Sequence, residues 1–521
     1  MRLTVFMPNK FEYTCSLITD VISADIDNNQ SDYSKNILLL KENIDKGRYF
    51  EELLTGLKEQ LEFDDVQLYI LSLSAIFCAT KEIVCLDMIR DALLENRLSL
   101  VITRAIAFQI RVRCFQMGIA RDYNSEKILN DNLADRFYRE LNIDIPYIEY
   151  PKRNHNLVVL TTHTLLNIKH APTKWVLSVA YILQELGYEV LIVIEGEPIT
   201  PESICAYWIG EKYYTKYGYN YGTYCLDIND KKVQCYQINL NQSSHNEIIK
   251  AIEAIYSLRP EFVWKIGGGF SMDHIWSKMS TYVTLPCAKG YDPCIGDLMI
   301  KCLEAETDSE VENIIQSTGA STMHMSFKEI EFKDPCAVER DYRRSDYNIN
   351  DDDFVVAVVG NRLNDEISKD FWKVLERIIS QKDNIKVILI GKYNGVIPDS
   401  IKADVIYCGY CEPLESAIRM ADLFVNPKRN GGGTSAKMCL KNMIPIVTLQ
   451  DCDVANTVGD CFVVDDYDEM IKMVIRYVDD RKFYKKQVEG AAIRYSKCFD
   501  VDMRKEIRRV VDRAIEIAQY S

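Results

Sequence analysis

A chain of 521 residues, 47% hydrophobic and 27% charged, is too long for one ordinary domain and has the balance of a folded globular protein. Its net charge of −15 argues against general binding to nucleic acid or to an anionic membrane surface. Seventeen cysteines, odd in number and without repeated spacing, fit a reducing cytosol better than a disulfide framework, so a cytoplasmic location is expected.

The opening stretch, MRLTVFMPNKFEYTC, lacks the long apolar segment and small-residue cleavage site of a signal peptide. Residues 1–150 carry apolar side chains at helical spacing, as in YFEELLTGLKEQLEF and LSLVITRAIAFQIRVRCFQM, which predicts an all-helical N-terminal domain. Its most apolar run is Val66–Thr80, interrupted by Gln67 and ended by Lys81. That is short of the ~20 residues of a membrane span, so a buried helix and no transmembrane segment are expected. After the linker PYIEYPKRNHN, residues 151–345 alternate strand and helix: LVVLTTH, then PTKWVLSVAYILQELG, then YEVLIVIEG. This is the pattern of a parallel sheet. A tyrosine-rich insertion, AYWIGEKYYTKYGYNYGTYCLDI, interrupts it and suits either stacking on sugars or bases or a β-rich insertion. EFVWKIGGGFSMDHIWSKM resumes the pattern.

Residues 346–490 form a second unit, with strands in DFVVAVVGNRL, IKVILIG and ADVIYCG and a helix in SKDFWKVLERIIS. Residues 491–521 are read as a C-terminal helix packing back across the lobes. The predicted class is α/β: two Rossmann-like lobes facing a cleft, behind an all-helical domain. Ligands of such sheets bind beyond the carboxyl ends of the strands. The pair Cys408-Gly-Tyr-Cys411 follows a strand late in the chain and has no second ligand pair nearby, so neither a redox motif nor a zinc site is expected.

The stretch with most chemical content is VNPKRNGGGTSAKMCLKNMIPIV, Val425–Val447. Three successive glycines weaken a helix or strand, each by roughly 0.5–1 kcal/mol relative to alanine. Here they follow the apolar run Met420–Val425 and precede the helix-compatible run Ala436–Met443, predicting a strand, a turn and a helix start suited to an anion. The phosphate loop of nucleotide triphosphatases does not fit, because Lys437 is not preceded by glycine. Gly431, Gly433 and Ala436, with Asp451 further on, match a dinucleotide fingerprint, but that fingerprint normally follows the first strand of its unit. A nucleotide-sugar diphosphate fits a third way, with Thr434 and Ser435 donating from the helix start and Arg362, Lys369, Lys428 and Arg429 as cations.

GNRLNDEISKDFWKVLE, KVILIGK, GYCEPLESAIRMADLFVNP and NGGGTSAKMCLKNMIPIV, in that order, resemble the donor lobe of GT-B-fold glycosyltransferases, nearest the retaining family-four type. THTLLNIKHAPTKWVLSVAYILQELGYEVLIV and PEFVWKIGGGFSMDHIW resemble their acceptor lobe, so the likeness spans most of residues 157–490. It implies an enzyme that moves a hexose-type sugar from a nucleotide-diphosphate donor, UDP- or GDP-linked, to a glycan or protein acceptor. By the resemblance, Arg362 and Lys369 match the basic pair at the donor phosphates, and Gly409 and Tyr410 the loop lining the base. Asn430, Gly431, Gly432, Gly433, Thr434 and Ser435 match the diphosphate turn. The family's paired glutamates around this turn are absent. Asn430 or a glycine stands near the first position, and Lys437 or Met438 near the second, which usually holds the donor ribose. A helical region ahead of two such lobes is also similar to cytoplasmic protein N-glycosyltransferases of the adhesin-modifying type.

Glycosyl transfer needs negative charge stabilised on the departing diphosphate, and arginine, lysine and a helix end can take the place of a divalent cation. Neither a cofactor nor a metal is therefore expected: Asp451-Cys452-Asp453 lies in a donor-lobe turn, and Asn350–Asp353 reads as a solvated linker. Of six histidines, His163 and His170 flank one strand-to-helix turn, Lys174 starts the helix, and His274 lies beyond Gly267–Gly269. His170 is the first candidate to contact the sugar or acceptor, with His163 second and Lys174 beside them. Two other assignments remain at this level: a dinucleotide-dependent oxidoreductase, and a non-catalytic GT-B partner that binds glycan or protein. The helical domain is a candidate surface for acceptor capture or homo-oligomerisation.

Overall fold

Helices fill the first part of the chain: Lys10–Ile26, Gln30–Gly47, Phe50–Leu61, Val66–Thr80, Val84–Leu94, Leu100–Met117 and Tyr123–Leu141. The structure is a computed structural model, described here for residues 10–520 except 27–28, 48–49, 62–64, 118, 120–121, 166–167, 169, 196–221, 239–244, 269–271, 288–295, 303–308, 333–339 and 451. Val66–Thr80 is a helix with ten buried residues, including Tyr69, Ile70, Leu73 and Phe77. No helix among the described residues is long and apolar enough to cross a membrane.

The first sheet contains β1 (Asn154–Thr162), β2 (Glu189–Ile194), β3 (Gly222–Ile228), β4 (Lys231–Gln237), β5 (Pro260–Ile266), β6 (Tyr282–Leu285), β7 (Leu298–Cys302) and β8 (Ser321–Met325). Their order is β3-β4-β2-β1-β5-β6-β7-β8, parallel except for the β3–β4 hairpin at one edge. That hairpin is the described end of the tyrosine-rich stretch; its residues 206–221 lie outside the described residues.

Side chains alternate across this sheet. Val158 and Leu160 pack with Val176, Val179 and Leu183 of the helix Ala171–Glu185 and with Ile507, Val510 and Ala514 of the last helix, Met503–Tyr520. Val159, Val193 and Val263 face the other way, into one continuous core with Leu73, Phe77, Ile89 and Ile110 of the N-terminal helices. Burying one such side chain contributes about 1.5–3 kcal/mol, so the N-terminal helices form a layer of the first lobe and not a tethered module.

The second sheet contains β9 (Phe354–Val359), β10 (Ile385–Ile390), β11 (Val405–Gly409), β12 (Leu423–Val425), β13 (Ile446–Leu449) and β14 (Val463–Val464), all parallel, in the order β11-β10-β9-β12-β13-β14. FVVAVV and IKVILI are almost wholly buried, as expected of strands covered on both faces. One cover is Lys369–Ile379, capped by Ser368 Oγ at 3.1 Å from the Phe371 amide, which buries Phe371, Trp372, Leu375 and Ile378. After β14 the chain forms Tyr467–Asp479 and Arg481–Cys498, then crosses back to pack its last helix on the first lobe.

In each sheet the order reverses beside the first strand. β1 neighbours both β2 and β5, and β9 neighbours both β10 and β12. These are the topological switch points, where connections leave to opposite faces and open a crevice at the carboxyl ends.

Candidate active site at the facing strand ends

In the second lobe the crevice lies between the ends of β9 and β12. The glycine-rich stretch follows β12, and its helix is Gly433–Lys441, three residues earlier than the expected Ala436 start. The Ala436 amide donates to the Gly432 carbonyl at 3.1 Å, which draws Gly433, Thr434 and Ser435 into the first turn. Gly432, at φ +89° in the left-handed region, is the N-cap and has no side chain to close the helix end. The first-turn amides of Gly433, Thr434 and Ser435 therefore lack both intrahelical and side-chain partners among the described residues. The hydroxyls of Thr434 and Ser435 are half-buried and make no hydrogen bond among the described residues. Gly431 differs, because its amide donates to Asp453 Oδ2 at 2.6 Å.

Arg429 was expected among the phosphate cations, and the structure corrects this. Its side chain is 3% exposed, and its nitrogens donate to Asn426 Oδ1 at 2.7 Å, Glu366 Oε2 at 2.5 Å and Val359 O at 2.7 Å. It thus ties the end of β9 to the end of β12 and supports the glycine turn from beneath. The reason is local: an apolar strand end offers a carbonyl and an amide to a planar guanidinium that cannot be left buried without partners. Arg362 lies on the open side, donating to the Asn430 carbonyl at 2.8 Å and pairing with Glu366 at 3.3 Å. Lys428 and Lys369 are exposed, and Lys369 has no ion-pair partner among the described residues. Arg362 and Asn430 are brought together; Lys369 is not joined to them.

Gly409, at φ +71°, ends β11, and Tyr410 follows it, 59% exposed. Two glycines not singled out in the sequence, Gly360 and Gly391, stand at the ends of β9 and β10. The Gly360 amide donates to Ile390 O at 3.0 Å and the Gly391 amide to Gly409 O at 2.8 Å. A Cβ on Gly391 would run into the Gly360 carbonyl. Three adjacent strand ends thus form a floor without side chains, leading from Tyr410 to the uncapped helix.

In the first lobe, His163 follows β1 and His170 is the N-cap of Ala171–Glu185, again with no side-chain cap on the helix amides. His170 Nδ1 is 3.0 Å from Thr173 Oγ1, and burial pushes its pKa down to about 4, so the ring is neutral at physiological pH. Lys174 is half-buried, without an ion-pair partner among the described residues. His274 is structural: its Nε2 is 2.8 Å from Asn130 Nδ2, and its carbonyl accepts from Tyr138 Oη at 2.7 Å, both on the helix Tyr123–Leu141. Asp451 lies outside the described residues. The dinucleotide match loses its support, because the glycines follow β12 and not β9, the first strand of the unit.

The two helix starts are held across the same gap. Lys437, one turn into Gly433–Lys441, pairs with Glu329 and donates to the Phe327 carbonyl at 3.2 Å. Glu329 also accepts from Trp175 Nε1 at 3.1 Å, and Trp175 stacks on Phe327 with centroids 4.3 Å apart. Burial pushes the Glu329 carboxyl up, but the Lys437 charge and hydrogen bonds outweigh this and hold it below its usual value. Trp175 sits one turn from His170, so the latch sets the first turns of both helices toward one another.

No protein-family model matches the sequence, and no curated protein does. Among solved structures, a mutant of the O-GlcNAc transferase of Thermobaculum terrenum matches over 98% of this chain and 99% of its own, with TM-score 0.55 and 12% identity. The fold is GT-B. A glycosyltransferase from Rickettsia africae ESF-5 matches 71% of this GT-B chain and all of its own (11% identity, TM-score 0.44). A trehalose-6-phosphate protein from E. coli bound with UDP-2-fluoro glucose matches 69% and 99% (9% identity, TM-score 0.46).

Proposed function

We propose that this GT-B protein is a metal-independent glycosyltransferase. It moves a hexose-type sugar from a UDP- or GDP-linked donor to a glycan or protein acceptor. The observation that carries this is the uncapped start of Gly433–Lys441, beside Arg362 at the β9/β12 switch point and latched toward the first lobe. The nucleoside lies over the glycine floor of β9, β10 and β11 against Tyr410, and its diphosphate meets the amides of Gly433, Thr434 and Ser435. When the bond from the anomeric carbon to the diphosphate breaks, its electron pair goes to the diphosphate oxygen. Arg362 and the helix end stabilise that charge. His170, neutral and within the first-lobe turn, contacts the transferred sugar or takes the acceptor's proton, with His163 and Lys174 beside it.

Calorimetric titration with UDP, GDP and their sugar conjugates tests this. Binding of one nucleoside diphosphate is expected, weakened about tenfold or more by Arg362→Ala and by Gly432→Val. Hydrolysis of the matching nucleotide sugar by the purified chain separates an enzyme from a non-catalytic partner. Saturable binding of a nicotinamide dinucleotide with no response to nucleoside diphosphates would overturn the assignment.

A further inference from the structure

We propose that the outward face of the helix Arg481–Cys498 is a docking surface for an anionic lipid membrane, holding the second lobe at the bilayer surface. This stands independently of the transferase assignment above.

Charge is distributed unevenly along the chain, which carries −15 overall from 62 Lys and Arg against 77 Asp and Glu. The 18-residue helix Arg481–Cys498 holds Arg481, Lys482, Lys485, Lys486, Arg494 and Lys497 against one acid, Glu489, a net +5. Its rotation is fixed from within. Tyr484 Oη donates to the Asp422 carbonyl at 3.3 Å, Arg494 Nε donates to the Thr457 carbonyl at 3.1 Å, and Ala491 and Cys498 are buried. Arg481, Lys482, Lys485 and Lys486 turn outward; all four are exposed, and none forms an ion pair among the described residues.

Helix stability does not account for them. The positive end of a helix disfavours cations, yet all four lie in the first two turns. Neighbouring helices follow the opposite rule: Asp370 opens Lys369–Ile379 and pairs with Lys373, and Glu469 in the first turn of Tyr467–Asp479 pairs with Lys472. Asp480 offsets part of the charge, but its carboxylate is engaged as the cap, accepting from the amides of Lys482 and Phe483 at 3.0 Å. Two turns beyond Lys486 on the same face, Ile493 is 67% exposed. Exposed point charges on the convex side of a helix, three of them lysines, suit the diffuse negative potential of a lipid surface, whereas a single carboxylate or phosphate is better met by arginine forks. Ile493 adds an apolar group for the headgroup region. The acidity of the rest of the chain opposes indiscriminate adhesion and turns this face toward the membrane.

Co-sedimentation of the full chain with vesicles tests this, using phosphatidylcholine alone and phosphatidylcholine with about one-third phosphatidylserine. Binding to the phosphatidylserine vesicles should be at least about tenfold tighter, and should weaken as salt is raised. Arg481→Gln, Lys482→Gln, Lys485→Gln and Lys486→Gln combined should abolish the preference, with the urea midpoint unchanged or raised because cations leave the helix start. Lys482→Arg, Lys485→Arg and Lys486→Arg combined keep the charge and should retain it. Ile493→Ser should weaken binding about threefold or more without altering the salt dependence. No preference for phosphatidylserine, or one that survives the fourfold Gln variant, overturns the proposal. Tighter binding to an RNA oligonucleotide than to the vesicles, or self-association that the same variant abolishes, also overturns it.

Discussion

Gly432→Ala and Gly409→Ala put a methyl group on two glycines that share a left-handed backbone but differ in surroundings. Gly409 has φ +71° with nothing within 4 Å of its Cβ position, so alanine there meets only backbone strain, about 1 kcal/mol. Gly432 has φ +89°, and its Cβ would stand 2.7 Å from Arg429 Nη2 and 2.9 Å from Cζ and Nε. A guanidinium is the end of a flexible side chain, but this one is pinned by Asn426, Glu366 and the Val359 carbonyl. Displacing it breaks at least one hydrogen bond to a charged group, at about 1.5–3 kcal/mol. Gly432→Ala is therefore expected to cost about 2.5–4 kcal/mol, and the difference between the two variants measures how firmly Arg429 is held. Urea titration with hydrogen exchange read on peptides of β9 to β14 gives both values, and UDP and GDP titrations give the effect on binding. Equal costs for the two substitutions would refute the reasoning, because Arg429 would then be free to step aside.

Three further perturbations address other parts of the site. Glu329→Gln keeps an acceptor for Trp175 but leaves the half-buried Lys437 ammonium without its counter-charge; a loss of about 2 kcal/mol and a larger radius of gyration in solution scattering are expected, and an unchanged radius would show that other contacts hold the lobes together. His170 has a depressed pKa, so between about 6.5 and about 4 the unfolded chain binds a proton that the native chain does not; stability should fall with pH across that window by up to about 3 kcal/mol, and a pH–stability slope that His170→Gln leaves unchanged would refute the burial of the ring. Asp453→Asn removes the carboxylate that accepts the Gly431 amide, so a diphosphate approaching the turn meets about 1 kcal/mol less repulsion; UDP or GDP should bind roughly fivefold more tightly, and unaltered affinity would put the anion elsewhere.

The two sheets were legible in the sequence because parallel strands covered on both faces are continuous apolar runs, as in FVVAVV and IKVILI, and because Gly187 and Ser368 mark where helices stop and start. The donor-side turn was legible through its three glycines, although the helix takes Gly433 into its first turn against glycine's helix propensity. What local pattern hid was direction. Nothing in PKRNGGG distinguishes Lys428, exposed, from Arg429, buried beneath the turn, because the difference depends on Glu366 and the Val359 carbonyl. The role of the N-terminal helices was equally hidden. LVITRAIAFQIRVRC is apolar nearly all round, which signals burial, but not that one partner is the far face of β1 and β5.

The absence of the paired glutamates has a physical reading in the latch. A carboxylate at position 437 would face Glu329 across the lobes, and two like charges in a half-buried gap repel. Lysine there is compatible with Glu329, and Glu329 is in turn held by the indole of Trp175, one turn from His170. The residues at 437, 329 and 175 therefore form a set, and changing the first without the second would leave an unbalanced charge between the lobes. A ribose hydroxyl reaching this helix meets an ammonium, which only donates, where the resembled family offers a carboxylate, which only accepts. Lys437, one of the two residues standing near the family's second glutamate, here joins the second lobe to the first, so under the proposed function ribose recognition would fall to the strand-end floor and to Arg362.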